Sequence, residues 1–193
     1  MRFAGILISV LITAMLLTVL LSCGSNDPGE FEYVTATATV DAAKNPMFAD
    51  LATWTGTPCA AGSTFSVANS AVNFTLTSTA KLKLGNSYPL ILQKATISFS
   101  QADSQSPSLP ALYSPIYQGL TGYIIPAGGS LSVPVEVVTH SLKNYFTPTL
   151  VCTGNKSVYS YNVSIVFDAV EQTTGRSGSI PASMTVRFAD FAD

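Results

Sequence analysis

The chain has 193 residues, a length that suits one domain with a sizeable core, and its 9 Lys and Arg against 11 Asp and Glu leave a net charge of -2. With only 10% charged residues there is no basic stripe to neutralise phosphates, so nucleic acid is a poor partner class. In place of charge the chain carries 44 Ser and Thr, a hydroxyl coat that fits an exported β protein better than a cytosolic enzyme.

At the N-terminus, Arg2 is followed by Phe3 to Leu21 without a charge and then by small polar residues, the anatomy of a secretory signal peptide. The apolar run approaches the roughly 20 residues of a membrane-spanning helix, so an uncleaved anchor and plain secretion stand beside it as alternatives. Leu20-Leu21-Ser22-Cys23 resembles the lipobox of bacterial lipoproteins, with an aliphatic residue three before the cysteine and a small one just before it. The chemistry needs those types: Ser22 lets the scissile bond into a narrow peptidase site, and the Cys23 thiolate takes the diacylglyceryl group as a thioether.

The resemblance implies cleavage between Ser22 and Cys23 and a covalent lipid on Cys23, with acyl chains such as palmitate; no other cofactor is expected. Two or more chains exceed the marginal, reversible binding of one, so the mature protein should stay on its membrane. Gly24, where Gram-negative lipoproteins retained at the inner membrane carry aspartate, implies the outer membrane if the cell has one. The expected organisation is a signal peptide over 1–22, a lipidated tether over 23–30 and a domain over 31–193. Extended, the six residues 24–29 reach only about 20 Å, which keeps the domain near the headgroups.

From Glu32 the pattern switches to period two, with Val34, Ala36, Ala38 and Val40 alternating with threonines. The same alternation recurs at Val72 to Leu76, Ala95 to Phe99, Leu131 to Val137, Tyr159 to Phe167 and Ala182 to Phe188, with a weaker strand around Leu120 to Ile125. Short helical turns are expected in part of Asp41 to Trp54 and over Thr139 to Phe146. About seven antiparallel strands with one apolar face each predict an all-β, Ig-like β-sandwich. A lipidated transmembrane barrel would need an apolar outer band and a polar interior, which these irregular Pro- and Gly-rich connections do not suit. Pro134 lacks a ladder donor and so predicts an edge strand or a bulge. The run Pro126 to His140 and the ending VRFADFAD resemble uncharacterised single-domain Ig-like lipoproteins of bacteria, a likeness that carries no activity with it.

With Cys23 given to lipid, Cys59 and Cys152 form an even pair in an oxidising compartment, and a disulfide is the natural expectation; two separate buried thiols are the alternative. Both lie in loop-like surroundings, and Trp54 precedes both instead of lying between them as in true immunoglobulin domains. The fold is therefore Ig-like by architecture only.

No catalytic constellation emerges. His140 is the single histidine and stands beside a turn without a nucleophile elbow, a haem attachment site or zinc spacing. Asp168, Glu171 and Asp190 offer oxygens that a calcium ion would accept, but without an EF-hand loop they read as solvated turn acids. The sequons at Asn73, Asn155 and Asn162 read as coincidences of a Ser/Thr-rich chain.

The segment 109–125 sets Tyr113, Tyr117 and Tyr123 among prolines and glycines in what should be the longest irregular connection. Such a loop suits binding, with Trp54 as a further ring, or the covering of a sheet edge. Two function classes follow. One is a non-enzymatic module at the cell envelope contacting an envelope or surface protein; the other is a glycan- or small-ligand-binding surface protein. An exposed row of rings would favour the second, and rings buried against the sheet the first.

Overall fold

The period-two segments become long strands because each can bury one face and leave hydroxyls on the other. The computed structural model describes residues 30–81, 87–154 and 157–190. Among the described residues its strands are β1 (Val34–Val40), β2 (Met47–Asp50), β3 (Thr53–Thr55), β4 (Thr64–Ser66), β5 (Ser70–Ala80), β6 (Leu90–Gln101), β7 (Ile116–Gly119), β8 (Ile124–Ile125), β9 (Ser130–Val138), β10 (Tyr159–Glu171) and β11 (Ser177–Ala189), with an α-helix, α1 (His140–Leu150). A three-stranded sheet in the order β1-β5-β9 faces a larger one in the order β2-β11-β10-β6-β7, with β8 also paired to β6; β3 and β4 form a separate hairpin. The fold is the expected all-β sandwich.

β10 illustrates the cause. Tyr161, Val163, Ile165, Phe167 and Ala169 point into the core while Asn162 and Ser164 between them are exposed. β5 supplies the opposing layer with Val72, Phe74 and Leu76, and the Phe74 ring meets the Phe167 ring across the two sheets at 5.6 Å. Each such side chain contributes about 2 kcal/mol by leaving water. The interior is apolar, the reverse of what a water-filled barrel needs.

Pro134 lies on β9, the outer strand of the smaller sheet, as its missing N–H requires. Where β6 pairs β10, Lys94 faces Asp168 and Leu92 faces Ala169, so Gln93 is an extra residue in a bulge. Its carbonyl accepts the Leu120 N–H at 2.9 Å, which fastens the strand edge beyond it.

Several expectations change. In Asp41 to Trp54 the only helical piece is a three-residue 3-10 turn, Ala42–Lys44, and the rest forms β2 and β3. β2 pairs β11 in parallel because the chain crosses from one sheet to the other before extending. The second helical segment is longer than the turn or two expected: α1 has 11 residues, capped by Thr139, whose Oγ1 accepts the Leu142 N–H at 3.2 Å. Pro148 lies in the last turn, and Leu142, Phe146 and Leu150 close one end of the core. The weak strand over 120–125 shrinks to Ile124–Ile125.

Candidate functional site

The sandwich has two ends of different construction. At the turn between β10 and β11, the chain joins the domain through Phe31 to Tyr33. Phe31 is buried, and its ring lies so close to Gly178 that a Cβ there would stand 2.8 Å from Cε1. The buried Glu171 carboxylate accepts the Tyr33 N–H at 3.0 Å through Oε1 and the Thr174 hydroxyl at 2.7 Å through Oε2. Lys81 donates through Nζ to the Phe31 carbonyl and through its backbone N–H to the Tyr33 carbonyl. The Tyr33 ring meets Tyr88 edge-on at 5.0 Å, and Arg176 reaches Glu32 at 3.3 Å.

The opposite end carries α1, the β3–β4 hairpin and the loop after β6. Cys59 and Cys152 form a disulfide with Cα atoms 5.4 Å apart across 93 residues of sequence, stapling the hairpin tip to the chain just past α1. Both cysteines have left-handed backbones, φ 58 and φ 55, a conformation that costs a non-glycine residue about 1 kcal/mol. Trp54 is half-buried, lies 5.1 Å from the Phe65 ring and donates from Nε1 to Asp190 at 3.5 Å.

In the loop after β6, Asp103 Oδ1 accepts from the Ser106 N–H and hydroxyl, both at 2.9 Å, and from the Gln105 N–H at 3.0 Å. The Ser106 bonds, first the backbone one, hold the Asp103 carboxyl below its ordinary range. Ser106 Oγ in turn accepts the Ser160 N–H at 2.7 Å, so the loop is tied to the start of β10. The Tyr161 hydroxyl donates to the Pro107 carbonyl at 2.6 Å, and burial pushes its titration well above the usual phenol range. On α1, burial lowers the Lys143 ammonium, with Asp50 opposing the shift.

The tyrosine segment is not the long irregular connection expected. Residues 111–113 form a 3-10 turn and the remainder supplies β7 and β8, both paired to β6, so the segment completes the edge of the large sheet. Gln118 on β7 accepts the Glu136 N–H at 2.9 Å and donates to the Pro134 carbonyl at 3.2 Å, standing in for a strand against the free edge of β9. Prolines and glycines hide a four-residue strand from pattern reading; the Ile-x-x-x-Leu spacing was the only trace.

The rings therefore separate. Tyr113 is half-buried, 5.1 Å from Tyr145, and Tyr123 is half-buried against the core; Tyr117 is 65% exposed with the Lys94 ammonium 5.6 Å from its centroid. The four candidate rings do not converge on one site.

The three acids also stand apart. Asp168 pairs with Lys94 at 3.4 Å and accepts from Ser179 Oγ at 3.0 Å, Glu171 serves Tyr33, and Asp190 lies at the other end of β11 beside Trp54, not near the hairpin turn. His140 is exposed at the start of α1 with Asn144 beside its ring at 3.2 Å. Asn73 and Asn162 are exposed on β5 and β10. Ser22, Cys23, the signal segment, tether residues 23–29 and Asn155 lie outside the described residues. Sequence reading missed one feature altogether, a cleft of about 500 Å³ between the β1–β2 crossing and the start of β5, lined in part by Asp41, Lys44, Phe48 and Asn73. Neither a protein-family model nor a curated protein matches the chain.

Proposed function

We propose that the protein is a lipid-anchored, non-enzymatic interaction module of the cell envelope, held by acyl groups on Cys23 and offering its disulfide end to an envelope or surface protein. The observation that carries this reading is the distribution of exposed apolar side chains. Among the described residues, Phe48, Phe65, Leu112 and Val158 belong to elements at the disulfide end, Tyr117 to the middle of an edge and only Ile124 to the turn end. Leu112, at 81% exposure, is the most exposed of them.

The chain joins the domain at the other end, through Phe31. The 13 residues of β10 rise by about 43 Å. A tether reaching about 20 Å then leaves the disulfide end clear of the headgroups. The half-burial of Tyr113, Tyr123 and Trp54 favours a protein partner over a glycan laid along those rings.

The test has two arms. Intact mass of the membrane fraction should show a chain beginning at Cys23 with added acyl mass, and Cys23→Ser should leave an unprocessed precursor; a normally cleaved, soluble Cys23→Ser protein rejects the anchor. A photo-crosslinking amino acid at position 112 in intact cells should give a discrete protein adduct that the same group at position 173 does not. Equal adducts at both, or none at 112, reject the assigned surface.

A further inference from the structure

We infer that the open edge of β1 is an interface between copies of this chain, where a second copy adds its own β1, antiparallel, about a two-fold axis at Thr37. The strand reads VTATATV, the same in both directions. A two-fold pairing centred on Thr37 therefore sets Val34 against Val40, Thr35 against Thr39 and Ala36 against Ala38, so that each residue type meets its own in a self-complementary contact.

Among the described residues β1 pairs only with β5, over seven residues without a bulge, and it carries no charge and no proline. Exposed edges are ordinarily guarded by such residues or by a cover. The other edge of the same sheet has both, in Pro134 and the Gln118 side chain. β11 runs beside β1 and is paired to β2 only from Val186 onward, so the two bare edges border one groove of about 540 Å³, lined in part by Ala38 to Val40 and Pro181 to Ser183. An added strand has room there.

The hydrogen-bond phase fits the same pairing. The Lys81 N–H donates to the Tyr33 carbonyl at 2.9 Å, in register with Val34 opposite Ala80, so the odd-numbered residues of β1 are the ones that bond β5. The backbone groups of Ala36 and Ala38 then point to the open side, and these are residues that the two-fold axis sets opposite each other. On the outer face Thr37 meets Thr37 of the second copy. That contact repeats a hydroxyl pair already present between β1 and β5, where Thr35 Oγ1 lies 3.0 Å from Thr79 Oγ1.

The axis reverses the second copy, so the two disulfide ends point in opposite directions and neither is covered. For upright copies anchored near Phe31, a placement that rests on the reading proposed above, such a pair bridges two facing membranes.

The full chain, extracted into detergent micelles, should be oxidised and run without reductant. Thr37→Cys is expected to give a disulfide-linked dimer, because residues facing each other in a non-hydrogen-bonded pair stand about 4.5 Å apart at Cα, within disulfide range. Thr35→Cys and Thr39→Cys should each give none alone and a dimer when mixed. Adding Thr37→Lys to both halves of that mixture should abolish the dimer, since like charges then face each other. All three threonines are exposed, so these changes leave the core intact. Absence of the Thr37→Cys dimer, or dimers from Thr35→Cys and Thr39→Cys alone as readily as from Thr37→Cys, overturns the pairing. Phosphatidylcholine vesicles carrying the membrane-extracted chain should cluster, and those carrying Thr37→Lys should not. A Thr37→Cys dimer in micelles without clustering of the native vesicles overturns the facing-membrane placement and leaves the pairing standing.

Discussion

At the turn end, Phe31 to Tyr33 are fixed by a ring on Gly178, a buried carboxylate, a lysine and an ion pair, all contributed by strands and connections already in the sandwich. At the disulfide end, a hairpin with two three-residue strands pairs with neither large sheet and is joined to the body by a covalent bridge and by Trp54. Strands so short bury too little to hold themselves. The bridge substitutes for missing packing, and it does so only in an oxidising compartment. A hairpin that leaves Phe65 exposed gives up inward contacts, and the covalent link offsets that loss.

Removing the bridge is the most severe way to break the comparison. Replacing Cys59 and Cys152 by Ser should cost about 4 kcal/mol, the chain-entropy value for a loop of this order, less the relief of two left-handed backbones. Thermal melts with and without reductant should show the loss, and hydrogen exchange should rise first in residues 53–66 while the Tyr33 and Glu171 amides stay protected. An unchanged melting temperature would mean that the hairpin is held by packing after all.

Next in size are the contacts of the turn end. Phe31→Ala removes a buried ring and should cost about 3 kcal/mol. Glu171→Ala leaves the Tyr33 N–H without its acceptor and should cost about 2 kcal/mol. Gly178→Ala should resemble Phe31→Ala, because its Cβ displaces the same ring. In denaturant melts the three should be less than additive, since they act on one assembly. Additive losses would show that the contacts are separate.

How much of this was legible follows from length. β1, β5, β6, β9, β10 and β11 are 7 to 13 residues long and carry enough alternation to be read directly. The edge position of β9 came from Pro134 alone, and the Cys59–Cys152 bridge from an even remainder. β2, β3, β4 and β7 have three or four residues each, too few for a period, and the partner of β2 lies far away in sequence on β11. Gln118 gave no signal, and Glu171 read as a solvated turn acid although it is buried, because what singles them out is the distant backbone they satisfy. The cleft was invisible for the same reason: its walls, the β1–β2 crossing and the start of β5, are brought together only by the fold.

Lys143 sharpens the comparison from the disulfide side, where an ammonium is buried under α1. Burial lowers its pKa, so the folded state carries a penalty that is fully present below the folded value and fades as pH rises toward the unfolded value of about 10.4. Stability should therefore climb across that alkaline window in the native protein. Lys143→Met should stabilise by about 1 kcal/mol at neutral pH, as apolar replacements of buried charges do, and should abolish the climb. Tyr161 acts in the opposite sense: its raised pKa gives stability that is present below about pH 10 and lost above it. The difference between Lys143→Met and the native protein, measured by chemical denaturation from pH 7 to 10, isolates the lysine. A pH-independent difference would remove its charge from the account.

The smallest effect expected on stability is also the most informative about function. Tyr113 and Tyr117 lie four residues apart on one segment, yet Tyr113 packs on Tyr145 and the core whereas Tyr117 projects from the edge strand. Tyr113→Ala should lower stability by about 1 to 2 kcal/mol, since it removes a ring contact and half-buried area. Tyr117→Ala should change it by less than about 0.5 kcal/mol, as exposed substitutions do. If recognition extends from the disulfide end along this edge, Tyr117→Ala should weaken the crosslink at position 112 while its melting temperature holds, and Tyr113→Ala should weaken it only in proportion to the fraction unfolded. Loss of both stability and crosslinking in Tyr117→Ala would assign that ring to the fold. An undiminished crosslink would confine recognition to the disulfide end itself, with the tyrosine segment serving to close the sheet.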